Sequence, residues 1–149
     1  MSRRFWEDLE EGERLPCRPV VFEQADIVDF ARRFDPQPFH IDEAAAKASI
    51  FGGLVASSLH TLAACTRAIV DAQGDVAVVS GLGMDEVRMH NPVRPGDVLS
   101  VDARWAGLQR TRSRHDRAFA GIRCKVSNQR GEPVMEYGYR FLIACRDAP

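Results

Sequence analysis

The chain has 149 residues, of which 45% are hydrophobic and 28% are charged, and this length and composition are typical of one globular domain spanning residues 1–149. The formal net charge of −1 provides no overall positive field, which argues against a dedicated nucleic-acid-binding protein. No segment approaches the roughly 20 apolar residues of a membrane span, and the acidic start of the chain lacks the apolar run of a signal peptide. We therefore predict no nucleic-acid partner and no membrane partner.

The four cysteines favour a reducing compartment. They are Cys17, Cys65, Cys124 and Cys145. They show no C-x-x-C spacing and lie in apolar stretches, as buried thiols usually do. We expect them to be reduced and the protein to be cytoplasmic.

The first half of the chain predicts a short strand at residues 17–22, followed by helices. The segment QADIVDFARRF places four apolar residues on one helical face, namely Ile27, Val28, Ala31 and Phe34. This helix must end at Asp35, because Pro36 disfavours helical geometry in the residue before it. The segment IDEAAAKAS then predicts a short second helix with Asp42 as its N-cap.

The strongest helical pattern follows the glycine pair Gly52–Gly53. In SSLHTLAACTRAIVDA the predicted apolar face consists of Leu59, Leu62, Ala63, Thr66, Ile69 and Val70. Ser57 or Ser58 is the predicted N-cap of this long helix.

From Val76 onward the apolar residues alternate with polar ones, which is the pattern of half-buried strands. The alternation is clearest in DVLSVDARW, AGIRCKVSN and VMEYGYRFLIA, with turns predicted at residues 94–97 and 129–132. We predict about four long antiparallel strands. Only the long helix can cover one face of their sheet, so the fold class is α+β. A sheet wrapped around one central helix resembles the hotdog fold, whose members commonly form dimers with substrate sites at the subunit interface.

The stretch DPQPFH carries the candidate chemistry. Pro36 and Pro38 restrict the backbone between Asp35 and His40, so the path from the carboxylate to the imidazole is stiff. A stiff path can hold two side chains at the fixed separation that an acid–base pair requires. The alternative is structural: Asp35 turns the chain and His40 packs beside the second helix. Close by, the start of the long helix offers free backbone N–H groups to a developing negative charge.

Residues 34–61 resemble the active-site region of the MaoC-like (R)-specific enoyl-CoA hydratases, also called hydratase 2. That family has an Asp, then Asn-Pro, one apolar residue and a His, with the same five-residue separation as Asp35 and His40. The stretches FGGLVASSLHT and NPVRPGDVL are also similar to the family. Gln37 stands where the family has Asn, and Ser57–Ser58 stand where His-Gly is common.

The resemblance implies a function and roles for named residues. Asp35 and His40 would hold a water molecule over the β-carbon of a trans-2-enoyl thioester, and the backbone N–H of Ser58 would stabilise the thioester oxygen. Gly53 and Ser57 are the predicted substrate-binding residues. The substrate would be an acyl-CoA or an acyl-carrier-protein thioester, the protein would be a homodimer or a higher homo-oligomer, and no cofactor would be needed.

Two alternatives stay open from the sequence. The first is an acyl-CoA thioesterase on the same scaffold, in which a carboxylate activates water toward the carbonyl carbon. The second is a non-catalytic subunit that binds acyl thioesters or completes a heterodimer. The paired Asp35 and His40 argue against both. No metal site is predicted, because His60, His90 and His115 have no ligand spacing.

Overall fold

Residues 2–146 are described by a computed structural model. The first half of the chain has a 3-10 turn at Trp6–Asp8, followed by two short strands and four helices. These are β1 (Arg14–Leu15), β2 (Val20–Val21), α1 (Gln24–Phe34), α2 (Pro38–Ile41), α3 (Glu43–Ala48) and α4 (Ser58–Gln73). Of the strand predicted over residues 17–22 only Val20–Val21 forms a strand, β2, and a further short strand, β1, precedes it. Pro16 and Pro19 interrupt pairing there, because proline cannot donate to a strand ladder.

Helix α1 ends where the prolines predict. Phe34 is its last residue, and the backbone N–H of Asp35 caps it by donating to Ala31 O at 2.8 Å. Ile27 and Ala31 are fully buried, as the spacing predicts, but Phe34 is 59% exposed. Phe34 is the last residue of α1 and is not buried with Ile27 and Ala31.

His40 lies in a helical turn, which the sequence did not predict. Gln37 is extended, and α2 begins at Pro38. Proline suits the first helical position, because its fixed φ is already helical and its missing N–H would be unpaired there anyway. Asp42 then caps α3 by accepting a hydrogen bond from Ala45 N at 3.0 Å, which confirms the predicted N-cap.

The long helix α4 begins as predicted but packs through a different face. Ser57 is its N-cap, with Oγ accepting from Leu59 N. The buried positions are Thr61, Cys65, Ala68 and Ile69. Of the predicted apolar face only Ile69 is buried, and Leu59 and Val70 are each 53% exposed. Helical spacing identifies apolar stripes, but it does not tell which of two neighbouring stripes meets the sheet.

The second half of the chain forms four long antiparallel strands, as predicted. They are β3 (Val78–Met89), β4 (Val98–Arg110), β5 (Arg117–Ser127) and β6 (Pro133–Ala144). The sheet order is β1-β4-β5-β6-β3, with β2 also paired to β4. Buried residues alternate along β5, and α4 contacts β1, β2 and β4. One long helix thus packs on an antiparallel sheet, which confirms the α+β prediction.

Large side chains from the sheet and the first half of the chain build the core. Trp105, Tyr137, Phe22 and Ile27 are all 1% exposed or less. The cysteines carry no disulfide within the described residues, and burial raises the pKa of Cys65 to about 12 and that of Cys124 to about 11. Both thiols are therefore protonated at neutral pH. Among residues 2–146, no helix combines the length and apolarity needed to cross a bilayer.

An ion-pair network ties the edge strand β3 to β5 across a glycine of β6. Arg123 donates to Asp85 Oδ1 and to Glu86 Oε2, each at 3.0 Å. Gly138 is paired with both Arg123 and Asp85, so the ion pair crosses the strand at a position without a side chain. A Cβ at Gly138 would overlap Asp85 Oδ1 and Arg123 Nη1.

We predict that Gly138→Ala lowers the free energy of unfolding by up to about 1 kcal/mol, because the new methyl group displaces an ion pair between half-exposed side chains. Gly53→Ala is the matched control: it lies outside the long strands, and a Cβ there would be in ordinary contact, 3.5 Å from Arg94 Nη1. Urea unfolding should show a change within about 0.5 kcal/mol for the control. Equal midpoints for the two variants would contradict the prediction.

Candidate active site

The corner between α1 and α2 brings the predicted pair together. Asp35 ends α1, and His40 lies in the first turn after Pro38. Asp35 Oδ2 lies 3.4 Å from His40 Nε2, and the two side chains are 26% and 8% exposed. The carboxylate thus has partial access to solvent, whereas the imidazole is almost enclosed.

A backbone carbonyl fixes the orientation of the imidazole. His40 Nδ1 lies 2.6 Å from Val55 O. A carbonyl oxygen can only accept, so Nδ1 carries a proton and donates it. In the neutral imidazole Nε2 is then unprotonated and directs its lone pair toward the Asp35 side. Two hydrogen-bond acceptors therefore face the same small volume.

The carboxylate of Asp35 is held by the start of α4. Ser57 Oγ donates to Asp35 Oδ2 at 2.7 Å, and the same Oγ accepts from Leu59 N at 3.2 Å. The N-terminal end of the 16-residue helix α4 therefore lies beside the carboxylate.

The first turn of α4 leaves a backbone donor at the site. Thr61 N donates to Ser57 O at 3.1 Å, and Leu59 N is used by the Ser57 side chain. Within residues 2–146 the N–H of Ser58 donates to no protein acceptor. It therefore remains available to an anionic oxygen.

These groups share one cavity of about 360 Å³. Asp35, His40, Ser57 and Ser58 form its polar side. The apolar lining comes from Phe39, Phe51, Val55, Ala56, Leu59, Met89 and Pro92. A cavity with apolar walls and a few convergent polar groups is the usual form of a small-molecule site. Among residues 2–146, no three His, Cys, Asp or Glu side chains are grouped so that they could hold a metal ion.

One expected position is placed differently. Gly53, a predicted substrate-binding residue, is not among the cavity's lining residues, and a Cβ there would lie 3.5 Å from Arg94 Nη1. Beside the site, the ring of His60 lies 4.7 Å from those of both Phe22 and Phe30. Burial lowers the pKa of His60.

The sequence did not single out the residues that line the cavity from the end of β3 and from Phe51. Met89 and His90 line it from the end of β3, and His90 Nε2 lies 3.2 Å from Glu136 Oε2. Phe51 also lines it, from the segment before the glycine pair. The one available signal was the likeness of NPVRPGDVL to the hydratase 2 family, because Asn91 and Pro92 at the start of this stretch line the cavity.

The amino-acid sequence matches a known family. The sequence profile of the MaoC-like domain matches residues 8–120. The chain belongs to the MaoC-like dehydratase family. This confirms the resemblance inferred from residues 34–61, and the sheet-and-helix architecture is the hotdog fold of that family.

Individual proteins are similar to this chain in sequence or in fold. A crystal structure of the MaoC-like dehydratase from Rhodospirillum rubrum is 40% identical, covers 97% of this chain and 99% of its own, and superposes with a TM-score of 0.87. R-hydratase PhaJ1 from Pseudomonas aeruginosa, at 22% identity, covers 97% of this chain and 92% of its own with a TM-score of 0.74, which shows a shared fold. Protein MaoC of Klebsiella aerogenes is 34% identical over 100 residues, 66% of this chain; the match spans only 30% of the Klebsiella protein.

Proposed function

We propose that this chain adds water to the double bond of a trans-2-enoyl thioester to give an (R)-3-hydroxyacyl thioester, or catalyses the reverse dehydration. Membership of the MaoC-like dehydratase family supports a hydro-lyase of this kind. The observation that carries the proposal is the 3.4 Å separation of Asp35 Oδ2 and His40 Nε2 on the wall of a cavity that also contains Ser58. The acyl group would be carried by coenzyme A or by a carrier protein.

The two acceptors would orient the attacking water. A water molecule that donates one hydrogen to Asp35 and the other to His40 Nε2 has both O–H bonds directed at the protein. Its lone pairs then point into the cavity, toward the β-carbon of a bound enoyl thioester. This arrangement raises the nucleophilicity of the water without a separate activating group.

The electrons and protons balance within this scheme. The water oxygen forms a bond to the β-carbon, and the π electrons move through the α-carbon onto the thioester oxygen. Ser58 N–H donates to that oxygen and stabilises the charge that develops there. One member of the pair takes the water proton, and the pair returns a proton to the α-carbon. The reaction consumes one water and needs no redox cofactor.

The test is to mix the purified protein with crotonyl-CoA and follow the loss of enoyl absorbance, with free thiol measured in parallel. Hydration without thiol release is the expected result, and chiral chromatography should identify the (R)-product. Thiol release would instead indicate a thioesterase. No change in either signal, with crotonyl thioesters of both coenzyme A and carrier protein, would contradict the proposal and favour a binding subunit.

We further propose that the protein is a homodimer paired through β3. This edge strand has every residue exposed, and six large apolar side chains on it are at least 37% exposed: Val78, Val79, Leu82, Met84, Val87 and Met89. A long apolar edge left open would promote uncontrolled strand pairing. A second copy on β3 would cover it, and it would lie beside the cavity because Met89 lines that cavity.

We expect Leu82→Lys to convert the dimer into a monomer, because a charge would be buried between the paired edges. Light scattering coupled to size-exclusion chromatography measures the mass directly. Val21→Lys is the matched control, since Val21 is also an apolar strand residue and is 54% exposed on β2. A monomeric wild-type protein, or a dimer that survives Leu82→Lys, would contradict the β3 interface.

A further inference from the structure

We infer that Ser57 is a positioning residue that acts on the reaction through Asp35 rather than by binding substrate. Its hydroxyl donates to Asp35 Oδ2 at 2.7 Å and accepts from Leu59 N at 3.2 Å. A hydroxyl has one proton to give, so no donor remains for a substrate. The residue is also 0% exposed.

The contact fixes one specific oxygen. Oδ2 is both the atom that accepts from Ser57 and the atom that lies 3.4 Å from His40 Nε2. Removing the hydroxyl would free the carboxylate to rotate about its last bond, and the separation of the pair would no longer be set. Within residues 2–146, Ser57 Oγ is the only group that donates a hydrogen bond to the Asp35 carboxylate, beside the 3.4 Å approach of His40 Nε2.

The same short segment holds both members of the pair. Val55 O accepts from His40 Nδ1, and two residues later Ser57 holds Asp35. Residues 55–57 are buried, and Val55 N and Ala56 N are tied to Phe39 O and Val93 O. Residues 55–57 therefore hold both Asp35 and His40 in place. Ser57 stands where the resemblance expects a histidine, so the hydrogen bond from Ser57 to Asp35 is a feature of this chain's own sequence.

The kinetic test rests on the proposed function and compares three variants. Ser57→Ala removes the hydroxyl, Ser57→Gly removes it with little loss of N-cap quality, and Ser57→Thr retains it. For crotonyl-CoA hydration we expect kcat to fall about 10- to 100-fold in Ser57→Ala and Ser57→Gly. A change of this size corresponds to losing one hydrogen bond to a charged group in the transition state. KM should change less than about threefold, and Ser57→Thr should recover most of kcat.

The division between kcat and KM separates positioning from a purely structural role, because a generally disturbed site would not regain kcat in Ser57→Thr after losing it in Ser57→Ala and Ser57→Gly. Thermal unfolding of each variant checks that the fold is retained. A raised KM with unchanged kcat would indicate a direct substrate contact and overturn the inference.

A second measurement does not depend on turnover. A crystal structure of Ser57→Ala should show the Asp35 carboxylate turned about its last bond, so that Oδ2 no longer lies beside His40 Nε2. An unchanged carboxylate orientation would overturn the inference whatever the kinetics show. If the wild type hydrates no enoyl thioester but the carboxylate turns in Ser57→Ala, the proposed reaction fails while the positioning role stands.

Discussion

Asp35→Asn should lower kcat for hydration of crotonyl-CoA by about two orders of magnitude or more, the usual contribution of a general acid–base group. The asparagine has the same shape and can still accept from Ser57 through its amide oxygen. It carries no charge and cannot take the proton of the attacking water. The fold should therefore persist while the chemistry is lost.

The control for this prediction is Asp29→Asn, which neutralises an exposed carboxylate on the same helix α1. It should retain the kcat of the wild type. Stopped assays with a long incubation give the residual rate of Asp35→Asn, and circular dichroism verifies its fold. Near-normal turnover in a folded Asp35→Asn protein would remove Asp35 from the mechanism.

His40→Ala should also lower kcat by about two orders of magnitude or more, because one of the two acceptors that hold the water is lost. This variant leaves a cavity where the imidazole was, and it leaves Val55 O without its hydrogen-bond donor. A modest loss of stability should accompany the loss of turnover, roughly 1–3 kcal/mol for the unpaired carbonyl.

Imidazole added to the assay provides a sharp check on His40→Ala. The free base can enter the vacated space and accept from water, so it should restore part of the rate in proportion to its concentration. His115→Ala, which truncates an exposed histidine on the hairpin between β4 and β5, is the matched control. A folded His40→Ala protein with unaltered kcat would show that His40 has only a packing role.

The local features of the site follow from the sequence because they depend on neighbouring residues. Pro36 ends α1 by its effect on Asp35, and Asp42 caps α3 through its own side chain. Even so, the helical turn at Pro38 was missed, although proline at a first helical position is a local signal too. The alternation of apolar residues likewise predicted the long strands, and along β4 and β5 it matches the side of the strand that is buried.

Other features required the tertiary structure. The hydrogen bond from Ser57 to Asp35 joins residues 22 positions apart, and the one from His40 to Val55 spans 15. The buried face of α4 and the cavity wall at Met89 also depend on how distant segments meet. No rule of spacing gives these contacts, because they are fixed by the packing of the α1–α2 corner against α4.

The sequence by itself determined the fold class and the restricted backbone between Asp35 and His40, and its resemblance over residues 34–61 indicated the family. The fold class and the restricted backbone rest on residue type at short range, where proline and apolar periodicity act within a few positions. Only the tertiary structure decided which atoms restrain that pair and which strand edge stays open. Those features arise when separate elements pack together, and the free energy of packing depends on the whole core rather than on any one segment.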